Sequence, residues 1–405
     1  MIATQLFYAG REREAFGLLD VDRAIRGARD TAGIAALMIW PCAELEHLAK
    51  VCRACGIEPW VWFPVLADAP GTSIVPDELV TAFDGSRGNG KIGAWSGLES
   101  GDENFLFSCP NNDRRVERVL DSCSSLMDHS DLSGIMLDRI RYPSPANGLE
   151  MLFSCFCDSC ARAFRSETGH SLAPLADRAR AFLQRMRSLT AQSFREEWGD
   201  EDTLWTVSGL AGLAAFRARS ISSLVARFSA RARSRGLKVC LDLFSPSLAG
   251  MVGQNYRSLC GMCDWVKPMI YRHARGPAGF PLEWDSLREA LLQVTSLSWR
   301  DAEGAVGAAL RMMIPGDGGF PADLITRELD VLDGTMLPPG VQVLAGIEAV
   351  RLPQYGIDVT ESMLAEGLSR MSGRVQGIVA SWNLLHIPES NLRLLGAFAA
   401  RGGHA

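Results

Sequence analysis

Residues 134–143 read Gly134-Ile-Met-Leu-Asp138-Arg139-Ile-Arg141-Tyr142-Pro143. A glycine opens an apolar run, a carboxylate and two arginines close it, and a proline stops it. Apolar and polar residues do not alternate, which is the pattern of a parallel strand covered on both faces. Seven further segments read the same way: Ala3–Ala9, Gly33–Trp40, Ile57–Val65, Leu237–Phe244, Asp264–Tyr271, Val341–Val350 and Gln376–Leu385. Between them lie stretches of helical length: Asp20–Thr31, Ala43–Cys55, Arg114–Met127, Phe216–Arg235, Pro281–Thr295, Ala322–Asp333 and Thr360–Met371. In 216–235, Ile221, Leu224, Val225 and Phe228 form one apolar stripe, and the arginines fall mostly elsewhere. Gly56 and Gly236 follow helices where a left-handed cap is needed.

Eight alternating units predict an α/β fold, a (β/α)8 TIM barrel, with an open doubly wound sheet as the alternative. The whole chain, 1–405, is expected to form one barrel domain. Long insertions are expected after strand 3 (66–113), strand 4 (143–215) and strand 6 (272–340), all at the barrel end where loops build active sites.

Composition narrows the function. With 405 residues, 47% apolar and 22% charged, the chain is neither disordered nor a small stapled scaffold. A net charge of −6 disfavours a nucleic-acid partner, which needs clustered positive charge. No secretory signal opens the chain and no apolar run approaches the roughly 20 residues of a membrane span. Eleven cysteines without a signal peptide point to a reducing, cytoplasmic setting, where clustered thiols bind metal more often than they form disulfides. A homo-oligomer is compatible with this composition.

Cys155-Phe-Cys157-Asp-Ser-Cys160 follows strand 4, and Cys109 lies in the loop after strand 3. Adjacent strands let these loops converge, so Cys109, Cys155, Cys157 and Cys160 are expected to form a closed, structural tetrahedral zinc site. Two further C-x-x-C pairs, Cys52/Cys55 and Cys260/Cys263, sit at helix C-termini, the wrong end for redox activation, and are expected to fill helix–sheet interfaces. Gly85-Ser-Arg-Gly-Asn-Gly90-Lys91-Ile92 imitates a phosphate loop but has Ile where Ser or Thr must hold magnesium, and reads as a surface or substrate-covering loop.

Four ionisable groups fall at or near strand C-termini: Asp138, Asp242, Lys267 and Glu348. Lysine occurs at only four positions in the chain, which makes Lys267 amid apolar residues stand out. Burying such groups is costly unless they pair or serve a site. Two facing carboxylates are what glycosidic cleavage needs, one as acid and the other as nucleophile or base. By its cationic neighbours Arg139 and Arg141, Asp138 is expected to be the ionised member; Glu348, in an apolar strand, is expected to be the acid, and Asp242 could take either role. Trp40, Trp62, Tyr142, Tyr271 and Trp382 stand near the same ends as candidate sugar platforms, with Asn383 and His386 as candidate polar contacts.

Gly134–Pro143, followed by the cysteine triplet and then Phe164 and Gly169, resembles bacterial glycoside-hydrolase-like barrel proteins, whose fourth strand reads G-hydrophobic-x-L-D-x-I-R-Y-P. Asp242-Leu-Phe-Ser-Pro, Gly253-Gln254-Asn255-Tyr256 and Lys267-Pro-Met-Ile-Tyr271 resemble the same group. The triplet, with Ser108-Cys109-Pro110-Asn111-Asn112 upstream, is similar to the zinc cluster of family 42 β-galactosidases, which implies the same four ligands. That family carries an Asn-Glu pair at the end of strand 4, where this chain has Asp138-Arg139. Its strand-7 nucleophile maps by position onto Glu348, the reverse of the role read from charge neighbours. The expected activity is hydrolysis of a glycosidic bond in a carbohydrate substrate by Asp138 and Glu348, with Asp242 in reserve. Arg139, Arg141, Tyr142, Lys267, Tyr271, Trp40, Trp62, Trp382 and Asn383 are the expected substrate contacts. The alternatives are a non-hydrolytic carbohydrate-binding barrel and a lyase or isomerase using Lys267.

Overall fold

In the computed structural model the first strand pairs with the last, which closes the sheet and rules out the doubly wound alternative. The structure describes residues 1–88, 104–129, 131–188, 190, 204–310, 315–316, 319–353 and 356–402. The eight strands are β1 (Ile2–Leu6), β2 (Ala36–Ile39), β3 (Glu58–Pro64), β4 (Gly134–Asp138), β5 (Lys238–Phe244), β6 (Trp265–Met269), β7 (Gln342–Glu348) and β8 (Gly377–Ser381). All neighbours are parallel, and the ring runs β1-β8-β7-β6-β5-β4-β3-β2. This is a (β/α)8 barrel.

Each of the seven expected helices is present with ends shifted by a few residues, among them Leu18–Ala32, Asp113–Met127 and Ala211–Arg233. Helices Asp158–Thr168 and Ala173–Met186 lie in the connection after β4, and Trp299–Leu310 lies after β6. All strands but β5 are shorter at their C-terminal ends than the apolar runs suggest. Arg139 turns the chain at φ 53° directly after β4, and Leu384–His386 form a 3-10 turn after β8. The apolar character continues past the last ladder bond because the loops at the barrel mouth are themselves buried. Residues 89–92 of the phosphate-loop lookalike lie outside the described residues.

Residues of alternate parity point into the barrel. Ala3, Ala36, Met38, Trp60, Met136, Cys240, Trp265, Leu344 and Val379 belong to one apolar cluster inside it. Trp60 and Trp265 stack at 4.1 Å across this floor, a contact worth about 0.5–1.5 kcal/mol beyond its buried area. Gly134 exists for this packing: a Cβ there would lie 2.5 Å from the Trp60 ring and 2.7 Å from the Lys238 carbonyl. The opposite faces of the strands meet the helices in the much larger outer core.

Candidate active site

Above the tryptophan floor the inward positions turn polar. Asp242 of β5 and Lys267 of β6 are register partners, with Lys267 Nζ 2.8 Å from Asp242 Oδ2. Nζ also donates to Gln5 Oε1 of β1 at 3.2 Å. Tyr271 OH donates to Ser381 Oγ at 2.8 Å, and Ser381 Oγ donates to the same Gln5 oxygen at 2.8 Å. An ammonium group has no acceptor, so this chain orients the Gln5 amide: its oxygen faces Lys267 and its nitrogen is left over. Gln5 Nε2 and Asp242 Oδ1 are both buried with no partner. Gly346 makes room for the lysine, since a Cβ there would lie 2.9 Å from Lys267 Cε.

The polar layer opens into a cavity of about 210 Å³ at the C-terminal end of the barrel. Asp138, Asp242, Arg139, Arg141, Trp62, Tyr271, Trp382 and Asn383 all line it. Asp138 closes β4 in register with Pro64, and its Oδ2 accepts from Trp62 Nε1 at 2.9 Å while Oδ1 accepts from the Arg139 backbone at 2.5 Å. Arg139 is ion-paired with Asp68 of the loop after β3, and its guanidinium covers the Trp40 and Phe105 rings. Burial pushes the Asp242 carboxyl up to about 7 against the pull of Lys267, and the Asp138 charge adds to the rise. Although burial alone would lower it, an ionised Asp242 holds Lys267 above its ordinary value.

The remaining expected site residues lie elsewhere. Glu348 is not among the lining residues: its Oε1 accepts from the His273 and Ala274 backbone at 2.7 and 3.0 Å, which ties down the loop after β6. Lys267 is fully buried beneath the cavity. Trp40 stands behind Trp62, edge to face at 4.9 Å. Tyr142 turns away toward the cysteines, where its OH accepts from Asn111 Nδ2 at 3.5 Å. Two lining groups carry no signal in a search for charged strand ends: Gln5, an uncharged residue at an inward position of β1, and Glu12, which binds His386 Nε2 at 2.8 Å across the mouth.

Cys109, Cys155, Cys157 and Cys160 come together with their sulfurs all within 4.8 Å of one another, close enough to hold a metal ion. Cys109 Sγ lies 3.4 Å from the sulfurs of both Cys160 and Cys157, near the roughly 3.8 Å edge of a tetrahedral site with 2.3 Å metal–sulfur bonds. Cys157 caps the helix Asp158–Thr168, which sets Cys160 beside it. Each sulfur also accepts one N–H: Cys155 from Thr81, Cys109 from Asn111, Cys157 from Cys160, and Cys160 from the Asn111 side chain. Such bonds support thiolate ligands, so the donor set fits a metal. The other pairs behave as packing: Cys52, Cys260 and Cys263 are buried and Cys55 is partly so.

No protein-family model and no curated protein matches the chain. Solved structures do. The catalytic domain of a β-amylase from Paenibacillus polymyxa superposes with a TM-score of 0.54 at 10% identity, covering 100% of this chain and 98% of that one. The PgaB (BpsB) glycoside hydrolase domain from Bordetella bronchiseptica gives 0.53 at 11%, covering 95% and 94%. The shared feature is the barrel architecture. An α-L-fucosidase isoenzyme from Paenibacillus thiaminolyticus gives 0.50 at 12%, with 98% of this chain spanning 48% of that one. At these identities the likeness establishes the architecture, and the family 42 resemblance rests on the cysteine spacing alone.

Proposed function

We propose that the chain is a carbohydrate-active hydrolase that cleaves a glycosidic bond in the cavity at the barrel mouth. The observation that carries this reading is the pair Asp138 and Asp242, on adjacent strands, lining one aromatic-walled cavity in unlike surroundings. Asp138 accepts N–H donors on both oxygens, as a carboxylate does. Asp242 keeps one oxygen without a hydrogen-bond partner and holds its proton up to about pH 7. Asp242 then protonates the leaving oxygen, while Asp138 attacks the anomeric carbon or activates water. Trp62, Tyr271 and Trp382 supply faces for the sugar ring, and Asn383 a polar rim. Glu348, the acid expected from sequence, acts in this reading as a loop anchor.

The lyase or isomerase reading loses support because Lys267 is fully buried and its amine is taken up by Asp242 at 2.8 Å and Gln5 at 3.2 Å. The same proposal takes the metal at the four cysteines to be a structural zinc, and the eleven free thiols to fit a reducing, cytoplasmic compartment. Among the described residues no helix is long and apolar enough to cross a membrane.

The test is turnover of a panel of aryl glycosides and oligosaccharides by the wild type, Asp138→Asn and Asp242→Asn. Removal of either carboxylate is expected to cut kcat by at least about 100-fold, the usual scale of a lost acid or base. Ligand binding retained with no turnover by any of the three proteins would instead establish a non-hydrolytic carbohydrate-binding barrel.

A further inference from the structure

Arg141 lines the cavity and is 4% exposed. Its guanidinium lies between the rings of Phe107 and Phe244, 4.4 and 4.6 Å from their centroids. Nη1 donates to the Tyr142 carbonyl at 3.0 Å. Among the described residues no carboxylate reaches within the 4.0 Å of an ion pair, whereas Arg139 and Lys267 each have one. Two carboxylates influence Arg141 from farther away, Glu283 and Asp138. Glu283 gives its oxygens to Ser144, Ala146 and Ala278, and Asp138 gives its own to Trp62 and Arg139.

A guanidinium carries five N–H donors in a planar fork, and one carbonyl and two ring faces leave an edge of that fork unsatisfied. Holding such a charge out of water without a counter-ion is costly. Among the described residues no carboxylate pairs with Arg141 directly, and the group faces the ligand cavity, so the ligand is the natural source of a paired countercharge. The flanking phenyl rings exclude water and fix the fork, the setting in which bidentate recognition of an oxoanion is strongest.

We propose that Arg141 receives an anionic group carried by the sugar: a carboxylate, as in a uronic acid, or a phosphate ester. This inference rests on reading the cavity as a carbohydrate site and narrows its ligand to acidic sugars. Asp138 and Glu12 disfavour such a group in the rest of the cavity, so Arg141 also fixes which way round the ring enters.

Calorimetric titration of the 405-residue chain with D-glucuronate, D-glucose 6-phosphate and D-glucose tests this. One of the two charged sugars is expected to bind at least ten-fold tighter than glucose, about 1.4 kcal/mol, and which one it is identifies the oxoanion. Arg141→Met should abolish that preference; Arg141→Lys, a point charge without the fork, should restore part of it. Glucose bound as tightly as both acids would overturn the inference and leave the carbohydrate reading standing. No binding by any of the three would overturn both. A preference that survives Arg141→Met in a protein with an unchanged melting profile would also overturn it. The wild-type comparison decides the matter even if the methionine variant fails to fold.

Discussion

At the scale of single residues, Asp242 makes the sharpest demand. As the proton donor it must enter each cycle protonated, so activity is expected to fall as pH rises through about 7. A pH–rate profile of the wild type checks this, and a profile level from pH 6 to 8 would remove Asp242 from the role. The same shift carries a stability consequence with a definite sign. Between the ordinary aspartate range and about 7, the folded protein keeps a proton that the unfolded chain has lost. The contribution of this residue to stability is therefore full at acid pH and lost as pH climbs toward 7. His273 works in the opposite sense: burial lowers it to about 4, so its contribution is lost as pH falls through the range from about 6.5 to 4. Breaking the Lys267–Asp242 pair from one side would strand a buried charge, a penalty of about 3–5 kcal/mol. An amide at position 242 still accepts from the ammonium, which makes Asp242→Asn the informative substitution.

At the scale of elements, the loops over the cavity are held by buried glutamates. Glu283, on the helix Phe280–Val294, binds the loop after β4 through Ser144 and Ala146 and the loop after β6 through Ala278. Glu328, on the helix Asp323–Gly334, holds Ser245 and Ser247 after β5. Glu348 holds His273 and Ala274. Glu348→Ala leaves two backbone N–H groups without their acceptor and is expected to destabilise by roughly 2 kcal/mol or more, measured by urea unfolding, with faster hydrogen exchange at residues 273 and 274. Glu348→Gln keeps an acceptor and should retain both protection and activity. Loss of activity with protection intact would return Glu348 to the chemistry. The order of strands and helices was legible in the sequence because parallel strands covered on both faces leave unbroken apolar runs. Asp138 and Asp242 were legible because a carboxylate interrupts such a run at an inward position. Glu348 interrupts its run in the same way, yet a loop 75 residues earlier folds over it, a closure that strand periodicity does not encode. Gln5 and Glu12 escaped notice for another reason: an uncharged inward residue and an exposed-looking helix start acquire meaning only once β1 is seated beside β8.

At the scale of the whole molecule, the cysteine cluster joins segments distant in sequence, the loop carrying Cys109 and the helix start carrying Cys157 and Cys160. Metal analysis of the purified chain is expected to give one equivalent of zinc, and chelation should lower the melting temperature without dissolving the barrel, whose ladders are independent of it. Far less than one equivalent would refute the assignment. The glutamate clamps have a consequence for recognition. Because acidic side chains rooted in the scaffold already restrain the turns that follow β4, β5 and β6, that part of the mouth has surrendered its freedom during folding. An incoming molecule meets a rigid mould there, discriminated by shape and charge, and its affinity is not diluted by the work of freezing those turns.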